Sequence, residues 1–131
     1  MLAEARRRSG EPLIQGDAVR LPLHDRAVDG IWACASLLHI PRSDMPAVLT
    51  ECSRVLRPHG VLYVTVREGD RERWEDGPYG RRFFAYWRLE DLSSLLVRVG
   101  FAVEQTWVQA DVGGRSYRWV TALARRLAPT C

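Results

Sequence analysis

The chain has 131 residues, of which 47% are hydrophobic and 27% are charged, with a formal net charge of +3. This size is typical of one domain, and the apolar content excludes a chain that is disordered by composition. All 19 basic residues are arginines. Their clusters, Arg6-Arg7-Arg8, Arg81-Arg82 and Arg125-Arg126, are scattered along the chain, which is more typical of a solvated surface than of a nucleic-acid groove.

In the first half of the chain, turn residues separate short apolar segments. A helix is predicted over residues 1–8, and Ser9-Gly10 ends it. The later elements are a short strand over Leu13–Gln15, a buried strand over Asp29–Ala35, a helix capped by Ser43 that ends before Pro58, and a strand over Val61–Val66.

The second half begins with a polar, aromatic-rich segment over residues 67–86, for which we predict irregular structure. Leucines at helical spacing predict a helix over residues 89–99, closed by Gly100. Strands over residues 101–109 and 116–124 form a hairpin through Asp111–Arg115. Strands that alternate with helices predict an α/β fold with a mostly parallel sheet, ending in an antiparallel hairpin.

The three cysteines, Cys34, Cys52 and Cys131, are far apart in the sequence. Because none lies in a C-x-x-C pair, neither a metal site nor a disulfide framework is expected. Cys34 and Cys52 are predicted to be small core residues. The sequence has no signal peptide and no long apolar run, which predicts a soluble, cytoplasmic protein without a membrane span.

Short motifs follow one another between Gln15 and Val66, and their order and spacing are more specific than any one of them. They are Gly16-Asp17-Ala18, Leu21-Pro22, Asp25, Val28-Asp29, Leu37-Leu38-His39 and Arg54-Val55-Leu56-Arg57-Pro58-His59-Gly60. This series resembles the middle of a class I S-adenosylmethionine-dependent methyltransferase of the small bacterial "type 11" kind. The resemblance covers nearly the whole chain, and it implies a Rossmann-like sheet.

The family's opening is not found in the sequence. That opening is a first strand ending in Gly-x-Gly-x-Gly, then a helix and a second strand with an acidic end, whereas no Gly-x-Gly occurs in residues 1–131. The first residues resemble the helix that follows the second strand, so Met1 looks like an internal methionine. The resemblance therefore implies one methyltransferase-like domain over residues 1–131 that lacks its first βαβ portion.

The resemblance also implies S-adenosylmethionine as the cofactor and four residues that hold it. Asp17 would accept a hydrogen bond from the adenine amino group, with the Ala18 backbone against the ring. Ala35 and Ser36 are small residues that would lie against the methionine part. For Asp17 the alternative is an Asx-type turn, and for Ala35 and Ser36 it is an ordinary strand end. No universal catalytic residue and no metal are implied.

His39 and the segment Asp70–Trp87 are the remaining candidates. His39 is either a base for a substrate proton or a hydrogen-bonded residue beside the pocket. The segment holds six aromatic residues that could cover a small substrate or simply pack on the next helix. They are Trp74, Tyr79, Phe83, Phe84, Tyr86 and Trp87.

These observations predict methyl transfer to an acceptor that the sequence does not identify, with a small molecule favoured over RNA. The alternative is a truncated, non-catalytic module that binds a partner. In the family the missing first strand lies beside Ile31–Cys34. Its loss would leave an exposed sheet edge, through which the chain could associate with itself.

Overall fold

The computed structural model describes residues 2–10 and 13–128. Two short 3₁₀ helices, Leu37–His39 and Arg42–Asp44, follow the first strand. The helices are α1 (Leu2–Ser9), α2 (Met45–Val55) and α3 (Leu89–Arg98), and the strands are β1 (Val28–Cys34), β2 (Leu56–Arg67), β3 (Glu72–Gly77), β4 (Gly80–Ala85), β5 (Phe101–Ala110) and β6 (Arg118–Arg126). The predicted first helix is confirmed from Leu2 onward, whereas Met1 lies outside the described residues.

The main sheet has the strand order β1-β2-β6-β5. β1 pairs with β2 in parallel, and β6 pairs antiparallel with both β2 and β5. Three of the four strands therefore run in one direction and only β6 runs in the other. The expected α/β sheet, mostly parallel with an antiparallel hairpin at the end, is confirmed.

The core lies between one face of this sheet and the helices α2 and α3. Leu49 and Cys52 of α2 and Leu96 of α3 are buried against the sheet residues Val64 and Ala122. The apolar spacing that predicts these two helices thus marks the faces that they bury. The predicted role of Cys52 as a core residue is confirmed.

The start of α2 differs from the prediction. Ser43 lies inside a 3₁₀ helix rather than at the cap, and the N-cap is Asp44, whose side chain makes no capping hydrogen bond. The tighter 3₁₀ turn replaces a side-chain cap, because it satisfies backbone groups within the turn itself.

The predicted strand over Leu13–Gln15 is wrong. These residues have no strand conformation, and Ile14 is 67% exposed. An extended segment becomes a strand only beside a neighbouring strand, and the described sheet ends at β1. Apolar character alone therefore did not place this segment in the sheet.

The segment over residues 67–86 is regular, which corrects the prediction of irregular structure. β3 and β4 form a separate antiparallel hairpin in which Gly77 pairs with Gly80, so Pro78 and Tyr79 make a two-residue turn. Gly80 has a φ of 107°, which a side chain at Cβ would disfavour. The paired glycines around the turn were the signal for this hairpin.

β1 is less buried than its apolar sequence predicts. Ala33 faces the core, but Trp32 on the opposite face is 72% exposed and Cys34 is also exposed. The prediction that Cys34 is a core residue is wrong, because in the described part of the chain both helices that pack on the sheet, α2 and α3, lie on its other face.

Candidate active site

A cavity of about 590 Å³ opens where the parallel strands β1 and β2 end. Ala35 and His39 follow β1, and Arg67 ends β2. The hairpin β3–β4 forms one wall, and the residues around the start of β6 form the opposite wall. In open α/β sheets ligands bind beyond the carboxyl ends of the strands, and this volume suits a small molecule.

His39 lines the cavity with a defined orientation. Its Nδ1 lies 2.8 Å from the backbone oxygen of Phe83, and its ring lies 4.7 Å from the ring of Phe84. A carbonyl oxygen only accepts hydrogen bonds, so Nδ1 must carry the proton. In the neutral ring Nε2 then has the free lone pair. His39 is therefore both hydrogen-bonded beside the pocket and oriented to accept a proton, so the structure leaves both predicted roles open.

Arg67 lies between two aromatic rings at the floor of the cavity. Its guanidinium carbon is 4.0 Å from the ring centroids of both Phe84 and Tyr117. Nη1 donates to Glu75 at 3.1 Å, while Nε is buried and has no hydrogen-bond partner among the described residues. This side chain is only 11% exposed, so the neighbouring carboxylate and the ring faces, rather than water, stabilise its positive charge.

Glu75 provides that carboxylate. Burial raises the pKa of Glu75, but hydrogen bonds from Tyr86, Arg73 and Arg67 together lower it by more, so the net pKa lies below the ordinary value. The Tyr86 hydroxyl donates at 2.5 Å and Arg73 Nε at 2.9 Å. Glu75 is thus ionised at neutral pH and balances Arg67, rather than serving as a proton donor.

Arg42 fixes the position of the hairpin wall. Its backbone N–H donates to Glu72 at 2.6 Å, and its Nε donates to the backbone oxygen of Tyr86 at 2.8 Å. Its Nη2 reaches the backbone oxygen of Gly69 at 3.3 Å. Sequence reasoning missed this arginine, because its partners lie 27 to 44 residues away along the chain.

Ala35 and Ser36 lie where β1 turns into the first 3₁₀ helix. Ala35 lines the cavity, has a φ of 55° and donates its N–H to the backbone oxygen of Thr65 at 3.2 Å. A non-glycine residue in this left-handed region is strained, which is common where backbone approaches a ligand. Ser36 is exposed and makes no capping bond.

Asp17 and Ala18 do not line this cavity. Asp17 is exposed, and its Oδ1 accepts a hydrogen bond from the N–H of Val19 at 3.0 Å, which is the Asx-type turn that the sequence allowed. Ala18 is half-buried against the core. Ala35 thus lies at the cavity with Ser36 next to it in the chain, whereas Asp17 and Ala18 are not part of the cavity lining.

Arg54 connects several of the sequence motifs, because its side chain contacts the Leu21-Pro22 segment and Asp25. It donates to Asp25 at 2.8 Å, to Glu51 at 2.6 Å and to the backbone oxygens of Leu21 and Leu23. The hydrogen bond from Arg54 is the main reason that the pKa of Glu51 lies below its ordinary value. These contacts hold the segment before β1 against α2, a role that opposite charges at Asp25 and Arg54 could have signalled.

Within the part of the chain that the structure describes, no helix is long and apolar enough to cross a membrane. The same residues contain no group of three or more His, Cys, Asp or Glu arranged to hold a metal ion.

Comparison with known proteins agrees with this fold. Residues 1–64 match the family model of a methyltransferase domain. Methyltransferase GfsG of Streptomyces halstedii is 46% identical over 48 residues, which are 37% of this chain and 16% of GfsG.

Solved structures match over more of the chain, although at low identity. An S-adenosylmethionine-dependent methyltransferase from Methanosarcina mazei superposes with a TM-score of 0.76 at 18% identity, covering 87% of this chain and 66% of the other. The 1,6-didemethyltoxoflavin-N1-methyltransferase of Burkholderia thailandensis, solved with 1,6-didemethyltoxoflavin and S-adenosylhomocysteine, also gives 0.76 at 19% identity, covering 97% and 56%. A methyltransferase from Listeria monocytogenes gives 0.79 at 12% identity, covering 98% and 76%.

The fold is therefore that of a class I S-adenosylmethionine-dependent methyltransferase. Within this class, residues 1–64 match the methyltransferase-domain family to which the motif series points, so the resemblance to the type 11 family is confirmed. The chain spans 66% of the Methanosarcina protein and 56% of the Burkholderia protein, and much less of GfsG.

Proposed function

We propose that this chain contributes the acceptor side of an S-adenosylmethionine-dependent methyl transfer. The observation that carries the proposal is the cavity at the ends of β1 and β2, into which His39 brings an oriented imidazole. The family match over residues 1–64 supports this chemistry. The acceptor is a small molecule in this proposal, in keeping with the size of the cavity.

The residues present fit part of the cofactor. Asp17 offers an exposed carboxylate, and a carboxylate suits an amino group of adenine. Ala35, which lines the cavity, and the adjacent Ser36 offer small side chains, which suit the close approach of the methionine part. The chain has no Gly-x-Gly turn, so the backbone donors of such a loop are not among these contacts.

S-adenosylmethionine supplies an electrophilic methyl group on a sulfonium, so the residues of this chain mainly hold the acceptor and manage its proton. His39 would accept a proton at Nε2 from an acceptor hydroxyl or amine, while its Nδ1–H stays on Phe83. Arg42 would keep the hairpin wall in place through its bonds to Glu72 and Tyr86.

The alternative is a non-catalytic module that keeps the fold without the transfer. The turn that already occupies one oxygen of Asp17 is the observation that favours it. Self-association through the open edge of β1, a cytoplasmic location and binding of RNA also stay predictions. RNA has the weakest support, since it rests on the arginine content and on aromatic residues beside Arg81 and Arg82.

Calorimetry with S-adenosylhomocysteine on the 131-residue chain tests the proposal. We expect weak binding, short of micromolar affinity, because the donors of a glycine-rich loop are absent. Replacing Asp17 with alanine should weaken it by about 1–3 kcal/mol, since a charged acceptor is lost. Asp91→Ala on α3, exposed and far along the chain, is the matched control and should bind normally.

A second measurement addresses His39. With methyl-labelled S-adenosylmethionine and a panel of small phenols and hydroxy acids, His39→Ala should lower transfer by about 100-fold or more while leaving cofactor binding unchanged. No binding at millimolar cofactor would favour the non-catalytic module. Normal binding by Asp17→Ala would show that the adenine site lies elsewhere.

A further inference from the structure

Aromatic side chains form a large part of the cavity lining. Phe84 is buried in the hairpin wall, while Tyr117 and Trp119 line the opposite wall. The rings of Tyr117 and Trp119 meet edge to face, with 5.4 Å between their centroids. Flat walls of this kind favour a planar ring, because stacking and edge contacts add to the burial of apolar surface.

The cavity also has arginine charges that the protein does not balance closely. Arg82 makes no hydrogen bond or ion pair among the described residues, and its guanidinium carbon lies 5.3 Å from the ring centroid of Phe84. The nearest carboxylate oxygen to Arg115 is on Asp111, at 3.9 Å, too far for a hydrogen bond. That carboxylate already accepts bonds from Trp119 at 2.9 Å and from the Arg115 backbone at 3.2 Å.

The acidic residues of the cavity leave this excess in place. Three arginines and two carboxylates line it, and Glu75, the register partner of Arg82 across the strands, is engaged by Arg67 and Arg73. Asp76 lies near the hairpin tip, where its register partner across the strands is Arg81. Arg82 and Arg115 therefore retain N–H donors in a fork geometry that matches a carboxylate.

Arg82 and its sequence neighbour Arg81 point to opposite faces of the hairpin. Successive residues of a strand point to opposite faces, so Arg82 shares a face with Phe84 whereas Arg81 is on the other face, 5.6 Å from the ring of Trp74. Tyr79 at the turn is 93% exposed and also lines the cavity, so a large aromatic ring is available at its mouth.

We propose that the cavity binds a planar aromatic carboxylate, with Arg82 and Arg115 holding the carboxylate and Tyr79, Tyr117 and Trp119 contacting the ring. This rests on the proposed function only in taking the cavity as the acceptor site. A hydroxyl on such a ring would provide the proton that His39 accepts. The inference thus adds a substrate class to the proposed transfer.

Binding of three matched probes to the 131-residue chain, without S-adenosylmethionine, tests the proposal by calorimetry at neutral pH. The probes are 4-hydroxybenzoate, its neutral amide 4-hydroxybenzamide, and the non-planar 4-hydroxycyclohexanecarboxylate. We expect 4-hydroxybenzoate to bind at least about tenfold more tightly than either of the others, because only it has both the ring and the charge. A short single-stranded RNA is the fourth ligand.

The variant Arg82→Gln/Arg115→Gln should weaken the binding of 4-hydroxybenzoate by about 10- to 100-fold. Arg81→Gln is the control, since it removes the same charge one residue away on the opposite face of β4 and should bind normally. The single variants Arg82→Gln and Arg115→Gln alter exposed side chains, and each should lose part of the affinity even if the double variant folds poorly.

Equal binding of the acid and the amide would overturn the proposal, as would an equal loss in Arg81→Gln. The same holds if no probe binds at millimolar concentration, or if RNA binds in preference and competes with the acid. Because the readout is binding without cofactor, selective binding combined with absent methyl transfer would overturn the proposed function alone.

Discussion

Both faces of the main sheet carry apolar side chains, but only one face is covered by helices in the part of the chain that the structure describes. On one face, Val64 and Ala122 lie under α2 and α3 and are fully or almost fully buried. On the other face, Trp32 is 72% exposed, although its ring stacks on Tyr63 with 3.9 Å between centroids. An apolar strand is thus not enough to produce a closed core, because burial depends on which helices the rest of the chain places over each face.

The largest effect on stability should come from the covered face. Leu96 of α3 is fully buried, and its replacement with alanine should lower the free energy of unfolding by about 2–5 kcal/mol through lost contacts and a cavity. Its neighbour Val97 is 59% exposed, so Val97→Ala should stay within about 0.5 kcal/mol. Urea denaturation of both variants measures the difference, and similar values would show that α3 does not cover the sheet.

The two cysteines compare the open face with the covered side directly. Cys34 is exposed, whereas burial raises the pKa of Cys52 to about 11. At pH 8 only about one Cys52 thiol in a thousand is then ionised, so Cys34 should react with a thiol reagent at least about 100-fold faster. Mass spectrometry of timed samples in a Cys131→Ser background measures this ratio. Equal rates would mean that the covered side opens readily or that the open face is closed.

The open face and edge of β1 should also control self-association. Because β1 is an end strand of the described sheet, its outer backbone groups can pair with another chain, and Trp32 adds exposed apolar surface. Trp32→Lys should weaken association at least about tenfold, since a charge on an edge strand opposes pairing. Sedimentation velocity compares it with the original chain and with Val112→Lys, in the β5–β6 turn. A chain that is monomeric throughout would contradict this role.

The smallest effect on stability concerns the segment before β1, which Arg54 and Glu51 of α2 hold by hydrogen bonds and ion pairs. The hydrogen bond from Arg54 lowers the pKa of Glu51, so Glu51 stabilises the fold above the pKa of an unfolded glutamate, about 4.3. This contribution is lost as the pH falls through 4.3 towards the lower folded value. Glu51→Gln should cost about 1 kcal/mol at pH 7 and show a smaller decline in acid. Melting curves from pH 7 to pH 3 measure this, with exposed Glu90→Gln as the control that should behave as the original chain.

The elements that sequence reasoning predicted correctly are those with a strong local pattern. The spacing of Leu92, Leu95 and Leu96 predicts α3, and the β-branched run from Val61 to Val66 predicts the main part of β2. Such features depend on residues within one or two turns of the chain, so a single sequence carries enough information about them.

Some residues that line the cavity were singled out from the sequence, whereas of the four predicted cofactor residues only Ala35 lines it. Ala35, His39 and aromatic residues of Asp70–Trp87 were singled out, and Ala35, His39, Tyr79 and Phe84 line the cavity. The arginines that line the same cavity were not singled out as a group. Arg67, Arg82 and Arg115 are far apart in sequence, and only the packing of the hairpin and of the β5–β6 turn brings them together.

By itself, the sequence determined the family resemblance, the α/β order of elements and the apolar faces of α2 and α3. These follow from motif spacing and hydrophobic period, which are properties of neighbouring residues. Only the tertiary structure decided which sheet face is covered, which nitrogen of His39 is free and which arginine charges remain unbalanced. Those depend on contacts between distant segments, such as that of His39 with Phe83, and no local pattern specifies them.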